Sequence, residues 1–105
     1  MGLYLNGNSA GSISFTTADL MNTTSDLEIG AFFEGILDEF RFWTKGKSPS
    51  EANQDFSRLM NGGESNLAVY LKMNEGMGDY TYDFSRTTLT DFNKNHARFI
   101  GGPSW

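Results

Sequence analysis

Cysteine is absent, proline occurs twice and histidine once in a chain of 105 residues. Without cysteine there is no disulfide, no thiol nucleophile and no thiolate zinc site. That absence leaves the compartment open, since domains of every compartment can lack cysteine. Positive charge is also short: 8 Lys and Arg stand against 13 Asp and Glu, a formal net charge of −5. Nucleic acid is bound through a surplus of Lys and Arg over phosphate, so it is excluded as the expected partner. No apolar run approaches the roughly 20 residues that a membrane helix needs, so membrane insertion is not expected. The opening MGLYLNGN has no basic start and turns polar at once, so no signal peptide is expected in it.

What is present is glycine, 12 residues, and aromatic side chains, 14% of the chain. Together with β-branched residues they predict strands joined by tight turns rather than a helical bundle. The length suits one domain with one modest core. In LYLNGNSAGSISF, Asn6-Gly7 lies between the alternating pairs Leu3/Leu5 and Ile13/Phe15, which predicts a hairpin, because Asn-Gly accepts the positive φ angles of a tight turn. DLEIGAFF predicts a short strand through Leu27 and Ile29. GILDEFRFW predicts another, with a bulge at Asp38-Glu39 that lets Leu37, Phe40 and Phe42 share one face.

SPSEANQDFSRLMNGG predicts a helix over residues 48–61. Ser48 caps it, Pro49 suits its first turn and Glu51 completes a capping box. Ala52, Phe56, Leu59 and Met60 fall on one face, and Gly62-Gly63 end the helix. In LAVYLKM, Leu67, Val69, Leu71 and Met73 alternate with Ala68, Tyr70 and Lys72, which predicts a strand with Tyr70 on its outer face. YTYDF and ARFI predict two brief further strands. The expected core comprises Leu5, Ile13, Leu27, Ile29, Leu37, Phe40, Phe42, Phe56, Leu59, Val69, Leu71 and Met73.

Two blocks of this sequence resemble the laminin-G-like, concanavalin A-like jelly rolls of multidomain extracellular proteins. LYLNGNSAGS followed by LEIGAFFEGILDEFRFWTKGKSPSEANQDF is similar to the closing half of such a domain. NLAVYLKMNEGMGDYTYDFSRTTLTDFNKNHARFIGGPSW is similar to its first strands. The closing half therefore precedes the opening strands. The resemblance implies an all-β antiparallel, jelly-roll-like sandwich with one short capped helix. Residues 1–45 would give the closing strands, 48–61 the helix and 67–105 the opening strands. Two arrangements follow: a compact unit in which the two blocks pair, or a segment cut from a tandem array. On the second, unpaired strand edges would favour a homodimer.

The resemblance also sets the chemistry to be weighed. Glucanase relatives would need two carboxyls facing one glycosidic bond. No E-x-D-x-x-E arrangement occurs here, so no catalytic residue is assigned and no enzyme is expected. His96 has no G-x-S-x-G partner and reads as a loop histidine. No glycine run forms a phosphate cradle. A structural calcium near the strand junction is implied by the family, with Asp38, Glu75 and Asp83 as its ligands; the alternative is that Asp38 and Asp83 bond local amides. DFNKN, with Asp91, Asn93 and Asn95, lacks the glycine and the distal glutamate of an EF-hand loop.

For glycan, exposed rings that stack on sugar faces are required, and Tyr70, Tyr80 and Tyr82 are the candidates; the alternative is that each ring packs on the domain with its hydroxyl at the edge. Trp43 and Trp105 read as plugs at the edge of the core. The expected function is a non-catalytic recognition module of an extracellular or cell-surface protein, with glycan or protein as its ligand. The alternatives are a structural or protein-contact module, or a fragment adjoining a glycoside-active domain.

Overall fold

A computed structural model of the chain describes residues 2–14, 16, 24–86 and 95–101. Phe15, Asp91, Asn93 and Trp105, singled out above, lie outside the described residues. The elements run β1 (Gly2–Leu5), β2 (Asn8–Ser12), β3 (Phe40–Trp43), α1 (Pro49–Phe56), β4 (Leu67–Leu71), β5 (Tyr80–Thr81) and β6 (Ala97–Arg98). The strands pair antiparallel, as β1–β2, β3–β4 and β5–β6. No helix among the described residues is long and apolar enough to cross a membrane. The described residues fall into two compact units, one within Met1–Phe33 and Lys47–Leu59, the other within Glu34–Gly46 and Met60–Trp105.

The first unit is the N-terminal hairpin with the helix. Asn6 and Gly7 both take positive φ, 50° and 74°, the conformation that a two-residue turn matching strand twist requires. The ladder pairs Leu5 with Asn8 and slips by one residue between Leu3 and Tyr4, so Ala10 is unpaired. The Ser48 side chain accepts from the Glu51 amide at 3.2 Å, and the Glu51 carboxylate accepts from the Ser48 amide at 2.8 Å, the reciprocal cap the sequence predicts. Asn53 on the helix donates to the Gly7 carbonyl at 3.0 Å, tying the helix to the hairpin turn.

The helix stops at Phe56, short of the expected residue 61. Beyond it Met60 leaves the helical path and enters the core of the second unit beside Leu67 and Tyr70. The strand expected through Leu27 and Ile29 does not form. Instead Gly30–Phe33 make a turn, closed by the Phe33 amide on the Gly30 carbonyl, with Phe32 at φ 62°.

The second unit is built around β4. On one side β3 pairs with it, Arg41 opposite Tyr70 and Phe42 opposite Val69. On the other side the segment around Asp83 bridges Leu71, and the Phe84 amide donates to the Tyr70 carbonyl at 2.8 Å. The pre-helix and post-helix blocks thus meet edge to edge through β3 and β4, whereas β1 and β2 pair with each other in the first unit.

The bulge expected at Asp38-Glu39 is displaced. Glu39 takes a left-handed φ of 54°, and the ladder irregularity lies at Ala68, between the pairs Phe42–Val69 and Trp43–Leu67. That extra residue turns Leu67 to the face of Tyr70. Both are then buried with Met60, and Trp43 plugs their edge. Leu71 is buried on the opposite face, so β4 is covered on both sides. Burial of Met60, Leu67 and Leu71 contributes about 1.5–3 kcal/mol each.

Of the expected core, Leu71 is buried and Ile29, Phe40, Val69 and Met73 are half-buried. Leu5, Ile13, Leu27, Leu37, Phe42, Phe56 and Leu59 are exposed. The reason is visible in the hairpin: β2 is NSAGS, which offers Leu3 and Leu5 no apolar partner.

Candidate functional site

YTYDFS, residues 80–85, alternates in an inverted sense. Tyr80, Tyr82 and Phe84 are 50%, 54% and 42% exposed, while Thr81, Asp83 and Ser85 are 0%, 6% and 0% exposed. Side chains of an extended segment point to opposite faces in turn. Here the polar set goes inward and the aromatic set outward, the reverse of the usual preference. At about 3.3 Å per residue the three rings span roughly 13 Å.

The inward polar groups are satisfied, which is what makes the inversion stable. Glu75 Oε1 accepts from the Thr81 hydroxyl and from the Tyr82 amide, both at 2.9 Å. Ser85 Oγ donates to the Ala68 carbonyl at 3.1 Å. Asp83 is the hub. Its Oδ1 accepts from the amides of Tyr70 at 3.0 Å and Ser85 at 2.9 Å, and its Oδ2 from the amide of Asn95 at 3.2 Å. Its own amide donates to His96 Nδ1 at 3.0 Å. Burial alone pushes the Asp83 carboxyl up. The amides of Tyr70, Ser85 and Asn95 outweigh that, so the net displacement is below the ordinary carboxylate value. Buried charge is tolerated here because three backbone donors neutralise it.

Further braces hold the platform. The Arg86 amide donates to the Gly62 carbonyl at 2.6 Å, and the Phe99 amide to the Asp79 carbonyl at 2.8 Å. Ring centroids of Tyr82 and His96 lie 5.3 Å apart, edge to face at 78°. In the β5–β6 ladder Tyr80 stands opposite Arg98 and Thr81 opposite Ala97, so Arg98 shares the face of Tyr80.

Tyr70 is corrected. It is not an outward ring but is 1% exposed, on the buried face set by the bulge at Ala68. Its hydroxyl donates to Glu39 Oε2 at 2.6 Å, and the same oxygen accepts from Arg41 at 2.6 Å. Burial, then the Glu39 carboxylate, raise the Tyr70 hydroxyl above its ordinary value. Burial also acts to raise Glu39, but the Tyr70 hydroxyl and Arg41 prevail and hold it low. A ring so enclosed has no face open to solvent, whereas Tyr80 and Tyr82 are half exposed.

The expected calcium ligands are not brought together as a set. Asp38 is exposed and accepts from the Glu39 amide at 2.9 Å, while Asp83 and Glu75 turn to backbone and hydroxyl donors. Among the described residues no group of three or more His, Asp or Glu side chains is placed to hold a metal ion. Phe84 and His96 belong to the platform and were not assigned to it from sequence. For Phe84 the signal was present, an aromatic residue at every second position from Tyr80. His96, expected to be a loop residue, lies in the loop before β6 and also bonds the Asp83 backbone.

No protein-family model, no curated protein and no solved structure matches the chain.

Proposed function

We propose that this chain is a non-catalytic recognition unit that binds glycan through the row Tyr80, Tyr82 and Phe84. We place it on a laminin-G-like, jelly-roll-type framework of an extracellular or cell-surface protein. The observation that carries the reading is the inverted alternation of residues 80–85. Three neighbouring rings are held outward by a buried underside in which Thr81, Asp83 and Ser85 are each hydrogen-bonded. A sugar presents a flat C–H face that packs on an aromatic ring, and hydroxyls that bond a tyrosine O–H at the ring's edge. A platform whose backbone is fixed before the ligand arrives loses little entropy on binding. The antiparallel pairing of β3 with β4 and the two-block resemblance support the framework.

The experiment is a glycan microarray with the whole chain and its Tyr82→Ala variant. Retention of discrete glycans by the parent and their loss in the variant, with an unchanged circular dichroism spectrum, is the expected result. Equal binding by both contradicts the reading.

A second reading, a protein-contact module, draws on one observation. Phe32 stands fully exposed at the tip of the Gly30–Phe33 turn in a left-handed conformation that a bulky residue seldom adopts. A ring held out in that way is suited to insertion into a partner's pocket. Analytical ultracentrifugation of the chain, with and without Phe32→Ser, separates the two readings: an assembly that Phe32→Ser dissolves supports the contact module, and a monomer in both forms contradicts it.

A further inference from the structure

The sequence holds two Asn-Gly pairs, Asn6-Gly7 and Asn61-Gly62, and the fold surrounds them in opposite ways. We propose that Asn6 is a site of spontaneous covalent modification, converted through a succinimide to aspartate and isoaspartate, and that Asn61 is held against the same reaction. The chemistry needs only water and base. The backbone nitrogen of the following residue loses its proton to base and attacks the asparagine Cγ. An N–C bond forms, the carboxamide nitrogen takes up a proton and leaves as ammonia, and a five-membered succinimide closes. Water then adds to one of the two ring carbonyls, giving aspartate or, where the chain now runs through the side chain, isoaspartate. Nothing is oxidised or reduced. Glycine in second place leaves the attacking nitrogen unshielded, because it has no Cβ.

At Asn6 the reacting atoms are free. The residue is exposed, and among the described residues neither its carboxamide nor the Gly7 amide makes a hydrogen bond. The bonds at this turn use other atoms: the Asn6 carbonyl accepts from the Asn8 side chain at 3.2 Å and the Gly7 carbonyl from Asn53 at 3.0 Å. The ladder carrying the turn has two strands, an arrangement that opens readily. At Asn61 each reacting group is held. The Gly62 amide, which would attack, donates to Glu64 Oε2 at 2.9 Å, and the Asn61 amide donates to Glu64 Oε1 at 3.0 Å. Bonds to a carboxylate are among the stronger ones, and its negative charge opposes loss of the Gly62 proton. Asn61 Oδ1 accepts from the Gly63 amide at 2.7 Å, and buried Gly62 is braced by Arg86 on its carbonyl at 2.6 Å.

The product changes the first unit. Isoaspartate lengthens the turn backbone by one methylene and puts a carboxylate into a stretch, residues 1–18, that has no charged side chain. The Gly7 carbonyl is then displaced from Asn53, so the modification acts as a slow, one-way release of α1 from the hairpin.

The test is peptide mapping by mass spectrometry of the whole folded chain after long incubation in mildly alkaline buffer, and of the same chain in urea. In the folded chain Asn6 is expected to react and Asn61 to react at least about tenfold more slowly. In urea the two rates should converge. Glu64→Gln should speed the folded chain's Asn61 by about threefold or more and leave Asn6 unchanged. Asn61 reacting as fast as Asn6 in the folded parent overturns the proposal. So does a folded Asn6 that stays intact while the urea sample reacts. A tenfold gap that persists in urea also overturns it, because neighbouring sequence rather than the fold would then set the difference.

Discussion

The amide of Tyr70 donates to the carboxylate of Asp83 at 3.0 Å, and the amide after Asp83, that of Phe84, donates back to the Tyr70 carbonyl at 2.8 Å. A side-chain carboxylate thus takes one place in what would otherwise be a backbone ladder. The exchange fixes the segment carrying the aromatic row against the central strand β4. It also makes the outward direction of Tyr82 and Phe84 a consequence of how Asp83 is bonded.

Replacement of Asp83 tests that dependence. In Asp83→Asn one oxygen can still accept from Tyr70 and Ser85, but the new NH2 group faces the Asn95 amide, donor against donor. A loss of about 1–3 kcal/mol is expected from the unsatisfied amide, with a larger loss for Asp83→Ala, which leaves all three donors unpartnered. Urea unfolding followed by tryptophan fluorescence reads both. No change in midpoint for Asp83→Ala would show that the hub carries no stability.

Acid sensitivity follows from the same group and from Glu39. Both carboxyls titrate in the folded chain below their ordinary values of 3.8 and 4.5. The unfolded chain therefore takes up these protons first as pH falls. Their contribution to stability is complete above the ordinary values and is lost as pH falls through the lowered, folded ones. The urea midpoint should be level from neutral pH down to about pH 5 and decline below that. Asp83→Asn should flatten the decline. A decline as steep in the variant as in the parent would assign the acid sensitivity elsewhere.

Two glycines of positive φ should respond differently to alanine. At Gly62, φ 87°, an added Cβ would collide with the Phe84 carbonyl, a backbone atom held by the β4 pairing. At Gly7, φ 74°, the nearest atom is the Asn53 side-chain nitrogen at 2.8 Å, which can swing aside. Gly62→Ala is expected to cost at least about 2 kcal/mol and Gly7→Ala about 1 kcal/mol. Thermal melts of the two variants give the comparison, and the reverse order would contradict the placement of residues 84–86 against Gly62.

Local chemistry was legible in the sequence, and long-range chemistry was not. The Asn6-Gly7 turn and the Ser48, Pro49, Glu51 cap involve residues within a few positions of one another, and both form as predicted. The burial of Tyr70 was hidden because a single unpaired residue, Ala68, shifts the alternation of β4. The end of the helix was hidden because the partners that draw Met60 away are Leu67 and Tyr70, outside the helix. The inverted row was hidden for a similar reason. Thr81, Asp83 and Ser85 look like surface residues until Glu75, Tyr70, Asn95 and the Ala68 carbonyl supply their bonds. Of the candidate ligand residues, Tyr80 and Tyr82 were readable from their type and spacing. Arg98 and His96, which lie beside them, come from a separate stretch that the pairing of β5 with β6 brings in.

The most direct measurement is a map of amide chemical shifts in the ¹⁵N-labelled chain as a glycan retained on the microarray is added. The account predicts saturable shifts gathered at Tyr80–Ser85 and His96–Arg98, with the hairpin β1–β2 and the helix α1 unmoved. Saturable shifts gathered on the hairpin and helix instead, or none at any concentration of saccharide, would contradict it.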